Sequence, residues 1–420
     1  MDMLTSYHLL LLILAIVFAF FMAWGVGAND VANAMATSVG SKALTIKHAI
    51  MIAAVFEFAG AYLAGGQVTS TIRKGIIDPS MLVGHSDILV IGMLAALLSA
   101  GVWLFIATLR GWPVSTTHTI VGAIVGFGCV GLGVNSIEWS KVAQIGASWI
   151  TSPIIAGMVA FLMYRSVRWL IIDKEDVYQA AMRYVPVYMF IMGFIIAMVT
   201  FVKGLKHVGL DLTFWQSVVP SLVVAATATG VGKFYLKKVD AFTHHGHDNH
   251  PVERVFAILM IFTACSMAFA HGSNDVANAV GPLAAIYSVL STPDAVTDQA
   301  ALPSWILLVG AIGIVVGLMT FGFRVMTTVG QRITELKPSR GFAAEISAAT
   351  TVVVASGIGL PISTTQTLVG AVLGVGLAHH HKSVDWGVIR GIVLSWFVTI
   401  PVGAVLSIIF FYILKAILGA

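Results

Sequence analysis

Charge is scarce in this chain. Lysine, arginine, aspartate and glutamate make up 10% of its 420 residues, where an ordinary soluble domain carries about 25%. With 58% of residues hydrophobic, a soluble protein of this length would lack the polar surface to cover its core. Disorder is excluded by the same composition, since it requires low hydrophobicity and high charge. Neither sign dominates: 23 basic and 19 acidic residues leave a formal net charge of +4, with no basic face for nucleic acid. Cysteine is nearly absent. Cys129 and Cys265 lie in apolar segments without a CxxC partner, so neither a disulfide framework nor a metal site is implied. No catalytic triad, P-loop or nucleotide fingerprint occurs, which speaks against an enzyme and against ATP-driven transport by this chain alone.

The composition that remains is that of an all-α polytopic membrane protein. Its 41 glycines imply close helix packing and broken helices. The apolar start, Leu9 to Ala23, lacks a basic leader and runs into a motif that recurs later, so it reads as mature protein. Apolar runs long enough to span hydrocarbon fall near 7–28, 49–66, 87–109, 142–164, 185–203, 214–232, 255–270, 304–323, 341–358 and 391–414. Shorter runs at 119–134 and 367–378 follow proline turns, and those at 31–46 and 276–290 follow Asn-Asp pairs read as helix breaks. Lys and Arg then orient the chain. Loops 165–184, 233–254 and 324–340 are basic and are expected in the cytoplasm, whereas 291–303 has Asp294 and Asp298 with no Lys or Arg. About twelve crossings with both termini outside place 17 basic residues inside and 6 outside.

Two blocks occur twice. Gly27-Ala-Asn-Asp-Val-Ala-Asn-Ala34 returns as Gly272-Ser-Asn-Asp-Val-Ala-Asn-Ala279, and Gly111-Trp-Pro-Val-Ser-Thr-Thr-His118 returns as Gly359-Leu-Pro-Ile-Ser-Thr-Thr-Gln366, at offsets of 245 and 248. Ser148-Trp149 with Pro153 likewise returns as Ser395-Trp396 with Pro401. The topology makes these repeats inverted, with residues 1–164 as the first, 255–420 as the second, and 165–254 connecting them through two further helices. Inverted repeats with broken or re-entrant helices at matching positions are the architecture of secondary transporters, whose sites lie near the midplane at the repeat interface.

The repeated blocks are the polar ones. Asn29, Asp30 and Asn33 mirror Asn274, Asp275 and Asn278. Their carboxylate and amide oxygens are hard donors that suit a small cation such as Na⁺, and an ionisable group within a span is functional by default. Pro113 and Pro361 break a helix, after which Ser115, Thr116 and Thr117, and Ser363, Thr364 and Thr365, open another. A helix start lined with hydroxyls binds a tetrahedral oxyanion without a cationic side chain, and two such starts related by the repeat can converge on one anion. Glu57 and Glu345 lie in apolar spans and are expected to face a polar cavity, as cation ligands or proton carriers. No Lys or Arg lies deep in the spans. An anion beside Asp30, Asp275, Glu57 and Glu345 would therefore need a co-bound cation, the physical basis of symport; a simple anion channel would carry a basic ring.

On these motifs, together with Gly341-Phe-Ala-Ala-Glu345-Ile-Ser-Ala, the chain resembles the inorganic phosphate transporter (PiT) family of sodium- or proton-coupled phosphate symporters along nearly its whole length. The resemblance implies twelve crossings, inverted repeats and both termini outside. It also implies that Ser115, Thr116, Thr117, Ser363, Thr364 and Thr365 hold phosphate with Asp30 and Asp275 close by. Asn29, Asp30, Asn33, Glu57, Asn274, Asp275, Asn278 and Glu345 would hold coupling cations, with no other metal or cofactor. Gln366 departs from the pattern, standing where His118 stands in the first copy. The expected partners are inorganic phosphate, Na⁺ or H⁺ and the lipid bilayer of a plasma membrane, with a bacterial inner membrane suiting so compact a chain; a homodimer is compatible with the sequence. A symporter of another oxyanion such as sulfate, or a phosphate sensor that does not transport, would share this chemistry. His244, His245, His247 and His250, and His379, His380 and His381, cluster in loops without cysteine and read as solvated rather than as a Zn²⁺ site.

Overall fold

Apolar runs of twenty residues or more form helices because in hydrocarbon each backbone group must bond within its own segment. The computed structural model describes residues 3–78, 85–203, 205, 209–243, 251–291, 302–329, 337–379 and 386–418, and these are helical apart from turns and short loops. After a single turn at Met3–Ser6, thirteen helices follow among the described residues: α1 His8–Gly40, α2 Ile46–Ala64, α3 Gly66–Lys74, α4 Ser86–Leu109, α5 Thr116–Gly131, α6 Trp139–Val167, α7 Val177–Lys203, α8 Phe214–Thr243, α9 Pro251–Ser291, α10 Ser304–Val329, α11 Pro338–Gly357, α12 Thr364–His379 and α13 Trp386–Leu418. Nine of them are long and apolar enough to cross a membrane unaided. Helices α5 and α12 have 16 residues each, about 24 Å, which falls short of hydrocarbon about 30 Å thick. Helix α11 is long enough but carries Arg340 and Glu345.

The Asn-Asp pairs do not break helices. Helix α1 runs for 33 residues through Asn29 and Asp30, and α9 runs for 41 residues through Asn274 and Asp275. Residues 31–40 and 276–290 therefore continue these helices rather than forming separate ones, and 41–45 make the turn into α2. Asn and Asp disrupt a helix when their side chains bond to their own backbone; here those side chains are engaged by groups on other helices. The proline turns do break the chain, as the sequence predicts.

Helices pack in matched sets that exchange the two copies. Helix α1 packs on α10, and α2 packs on α9; α6 packs on α12, and α5 packs on α13; α1 meets α4 as α9 meets α11. The connecting helices α7 and α8 pack on each other, and α7 lies against α9 and α11 over a separate apolar cluster that includes Val185, Met189, Phe256, Met260 and Phe342.

The four crossings between the copies all require glycine, as two of them illustrate. A Cβ on Gly272 would collide with the Glu57 backbone of α2, and one on Gly27 with the Ile314 backbone of α10. Backbone cannot yield as a side-chain tip can, so Gly272→Ala is expected to destabilise the fold by about 1–3 kcal/mol or more. A lowered melting temperature of the purified variant checks this; an unchanged one would mean that the crossing is loose.

Candidate functional site

The site begins where the proline turns aim two helix starts inward. Gly111 and Gly359 adopt φ of 65° and 73°, the left-handed conformation that glycine takes without strain. Each turn closes with the same bond, Trp112 N to Ala107 O and Leu360 N to Ala355 O, both 2.9 Å. Ser115 then caps α5 by accepting from His118 N at 3.3 Å, and Ser363 caps α12 by accepting from Gln366 N at 3.3 Å. The serine oxygens thus accept from their own helices and keep an O–H to donate, while the threonines face the opposing elements.

Thr116 Oγ1 donates to Asp30 Oδ2 at 2.8 Å, and Thr364 Oγ1 donates to Asp275 Oδ2 at 2.8 Å. The asparagines cross between the copies. Asn278 Nδ2 donates to Thr116 and Thr117 Oγ1 at 3.2 Å each. Asn33 Nδ2 donates to Thr365 Oγ1 at 2.8 Å and reaches Thr364 Oγ1 at 3.5 Å. Thr117 Oγ1 donates to Ile362 O in the opposite turn at 3.1 Å. Asn29 holds its own turn, donating to Trp112 O at 3.0 Å and Thr108 Oγ1 at 3.2 Å while accepting from Val114 N at 3.2 Å. Asn274 occupies the matching place beside Ser356 and Leu360. With its amide turned over, it accepts from Ser356 Oγ and donates to Ile362 O at 3.0 Å and Asp275 Oδ1 at 3.1 Å, which satisfies more partners. All these polar side chains are buried.

The two aspartates come together. Oxygens of Asp30 and Asp275 and a ring nitrogen of His271 lie within 4.8 Å of one another. Two carboxylates that close repel each other when both are charged, and a cation between them relieves the repulsion. His271 is the residue that sequence reasoning missed. It faces Asp275 Oδ2 through Nε2 at 3.0 Å and Glu57 Oε1 through Nδ1 at 3.2 Å. Both contacts lie within ion-pair distance but off the angles of a hydrogen bond. The expectation that the buried acids have no basic neighbour is therefore corrected: no Lys or Arg is there, but an imidazole is. Its signal was a lone histidine directly before the second Asn-Asp block, four residues ahead of Asp275 and so on the same helix face.

Glu57 thus joins the aspartate cluster through His271. Glu345 does not. Its carboxylate accepts from Thr37, Ser38 and Thr263 on α1 and α9, the Ser38 bond being 2.6 Å. These three donors were also missed. The acids break the duplication as well. Gly272 lies against Glu57 as Gly27 lies against Ile314, so Ile314 fills the place of Glu57, and Val26 that of His271. Leu97 stands where Glu345 does. Of the histidine clusters, His379 packs on Tyr164, with its Nδ1 3.2 Å from the phenol oxygen; His244, His245, His247, His250, His380 and His381 lie outside the described residues.

The fold and site define a multi-pass membrane protein with two facing helix starts, a hydroxyl-lined centre and paired carboxylates. Known proteins share this plan. A family model described as the phosphate transporter family (PHO4) matches residues 26–407. A Haemophilus influenzae protein named "Putative phosphate permease" is 52% identical over 419 residues, covering 99% of this chain and 100% of that one. The Arabidopsis thaliana "Inorganic phosphate transporter 2-1, chloroplastic" is 43% identical over 435 residues, covering 96% of this chain and 72% of its own. A solved structure described as "The sodium-dependent phosphate transporter" superposes with a TM-score of 0.89 at 39% identity, covering 97% of this chain and 99% of that one. The chain belongs to the PHO4 phosphate transporter family. The family and the structural neighbour are transporters, not enzymes.

Proposed function

We propose that the protein is a secondary active symporter of inorganic phosphate, coupled to Na⁺ and working by alternating access around a midplane site. The observation that carries this reading is the pair of reciprocal chains Asn278–Thr116–Asp30 and Asn33–Thr364–Asp275. Each links an amide of one copy to a hydroxyl and a carboxylate of the other, so both helix starts serve one centre. Phosphate would accept from the hydroxyls of Ser115, Thr116, Thr117, Ser363, Thr364 and Thr365, with Thr116 and Thr364 turning from their carboxylates and Thr117 from Ile362 O, and from backbone N–H groups of the first turns of α5 and α12. Coupling cations would take oxygens of Asn29, Asp30, Asn33, Asn274, Asp275 and Asn278. Glu57 would act beside Asp275, and Glu345 with Thr37, Ser38 and Thr263 would form a separate cation position.

Charge explains the coupling. A phosphate entering beside two carboxylates is repelled unless cations enter with it, so neither ion crosses efficiently alone. The sodium dependence named for the structural neighbour supports Na⁺. One observation favours H⁺ in part: the two ring nitrogens of His271 stand within ion-pair distance of Glu57 and Asp275, and an imidazole can take up a proton.

We further propose that residues 1–164 and 255–420 are inverted copies that rock against each other, that 165–254 connects them, and that both termini lie outside a bacterial inner membrane. Labelled phosphate uptake into proteoliposomes, with Na⁺ and pH gradients imposed separately, tests the function. Uptake is expected to require an inward cation gradient, and indifference to the loss of both gradients would overturn symport. Excess sulfate should compete poorly, because it has no O–H to donate to Asp30 or Asp275.

A further inference from the structure

Helix α6 carries a face that the transport site does not use. Ile150, Ile154, Met158, Leu162, Arg165 and Trp169 are spaced by three or four residues and so stand in one stripe. It is unpartnered within the chain: Leu162 is 62% and Trp169 69% exposed. Trp139 near the other end of the helix is also exposed. Thirty residues separate the two indoles, about 45 Å along the axis, which matches a bilayer with its headgroup layers. Tryptophans at both ends mark the two interfaces. Arg165, one turn before Trp169, then comes level with the lipid phosphates.

The helix is reshaped at that level. Arg168–Ile172 form a π-helical turn, a local widening that recurs at functional sites. Arg168 pairs with Asp173 at 3.3 Å, and the Lys174 ammonium stands 5.7 Å from the Trp169 ring centre. Between them opens a cavity of about 370 Å³ lined by Arg165, Ser166, Arg168, Trp169 and Asp173. Asp173 neutralises Arg168, while Arg165 has no ion-pair partner among the described residues. The cavity therefore offers one uncompensated guanidinium beside an apolar track.

We infer that this cavity seats the headgroup of an anionic phospholipid. Arg165 holds the phosphodiester, with the indole of Trp169 beside the headgroup, and the acyl chains lie along Leu162, Met158 and Ile154. Free phosphate would meet the same arginines but would leave the stripe uncovered; a lipid fits both halves.

The test is native mass spectrometry of the full chain in detergent with equimolar dioleoyl phosphatidylglycerol and dioleoyl phosphatidylcholine. The wild type is expected to retain the glycerol lipid in preference to the choline lipid. R165Q should lower that preference about fivefold, the effect of one basic residue at an anionic surface. R165K should keep most of it, and K141Q, at the far end of the same helix, all of it; melting curves establish that each variant is folded. Equal retention of the two lipids, or an unchanged preference in R165Q, would overturn the inference. Loss of the lipid adduct on adding inorganic phosphate would assign the cavity to the free anion and overturn it too. Cross-linking of L162C between two copies in membranes would give the face to a second copy, with the same consequence.

Discussion

Asp275→Asn is expected to reduce cation-driven phosphate uptake about 100-fold or more while the protein stays folded. Asparagine keeps the size of the side chain and an oxygen to accept from Thr364, so the helix start should hold its shape. The charge is what disappears. Asp275 is the point at which four interactions meet: the Thr364 hydroxyl, the Asn274 amide, the His271 ring and the neighbouring Asp30. Without its negative charge, His271 faces Glu57 alone, and the pair Asp30–Asp275 no longer demands a cation. A 100-fold loss corresponds to about 2.7 kcal/mol of transition-state stabilisation, within what truncating one partner of a buried charged pair costs. Uptake assays paired with melting curves check it. Near-normal uptake would remove Asp275 from the mechanism. Asp30→Asn should also impair uptake, but with a different dependence on Na⁺ and pH, because Val26 stands where His271 would be. Identical profiles for the two variants would mean that the histidine plays no part in coupling.

That contrast marks the limit of what the sequence makes legible. The Pro-x-Ser-Thr-Thr turns could be read directly, because proline, a capping hydroxyl and the helix start they produce are local features, and the structure has Ser115 and Ser363 as caps. Repetition then pointed to Asp30, Asp275 and the asparagines, because polar residues duplicated inside apolar spans have few structural reasons to be there. The Asn-Asp breaks were misread for the converse reason. A side chain's capping tendency is local, but Asn29 and Asn274 spend their hydrogen bonds on turns more than 80 residues away, and α1 and α9 continue unbroken. His271 escaped notice because it belongs to neither repeat pattern nor the Lys and Arg count. Glu57 and Glu345 were visible as embedded acids, yet their partners were not: Thr37 and Ser38 reach Glu345 across more than 300 residues of sequence, a pairing that only the packing of α1 on its neighbours creates. Duplication reveals what the two halves share, whereas the coupling proposed for His271, Glu57 and Glu345 would rest on what they do not.

The shared part makes its own quantitative demand. Thr116→Val and Thr364→Val should each raise the phosphate KM about 10- to 100-fold, by nearly equal factors. Each threonine accepts from an asparagine of the other copy and donates to an aspartate of its own, with donor–carboxylate distances of 2.8 Å in both copies. Valine preserves shape and burial but removes the hydroxyl, so an asparagine amide loses its acceptor, and the one O–H that the carboxylate gives up to the bound anion is gone. A hydrogen bond to a charged group contributes about 1.5–3 kcal/mol, which gives the stated range. Serine at either position restores the hydroxyl and should recover most of the affinity. Equality is the discriminating result. A single anion held between two helix starts feels both losses alike, whatever His271 does to the cations. Initial-rate uptake over a range of phosphate concentrations measures both constants. A severe effect at Thr116 with none at Thr364, or the reverse, would mean that only one helix start touches phosphate, and the shared centre would have to be abandoned for a site within one copy.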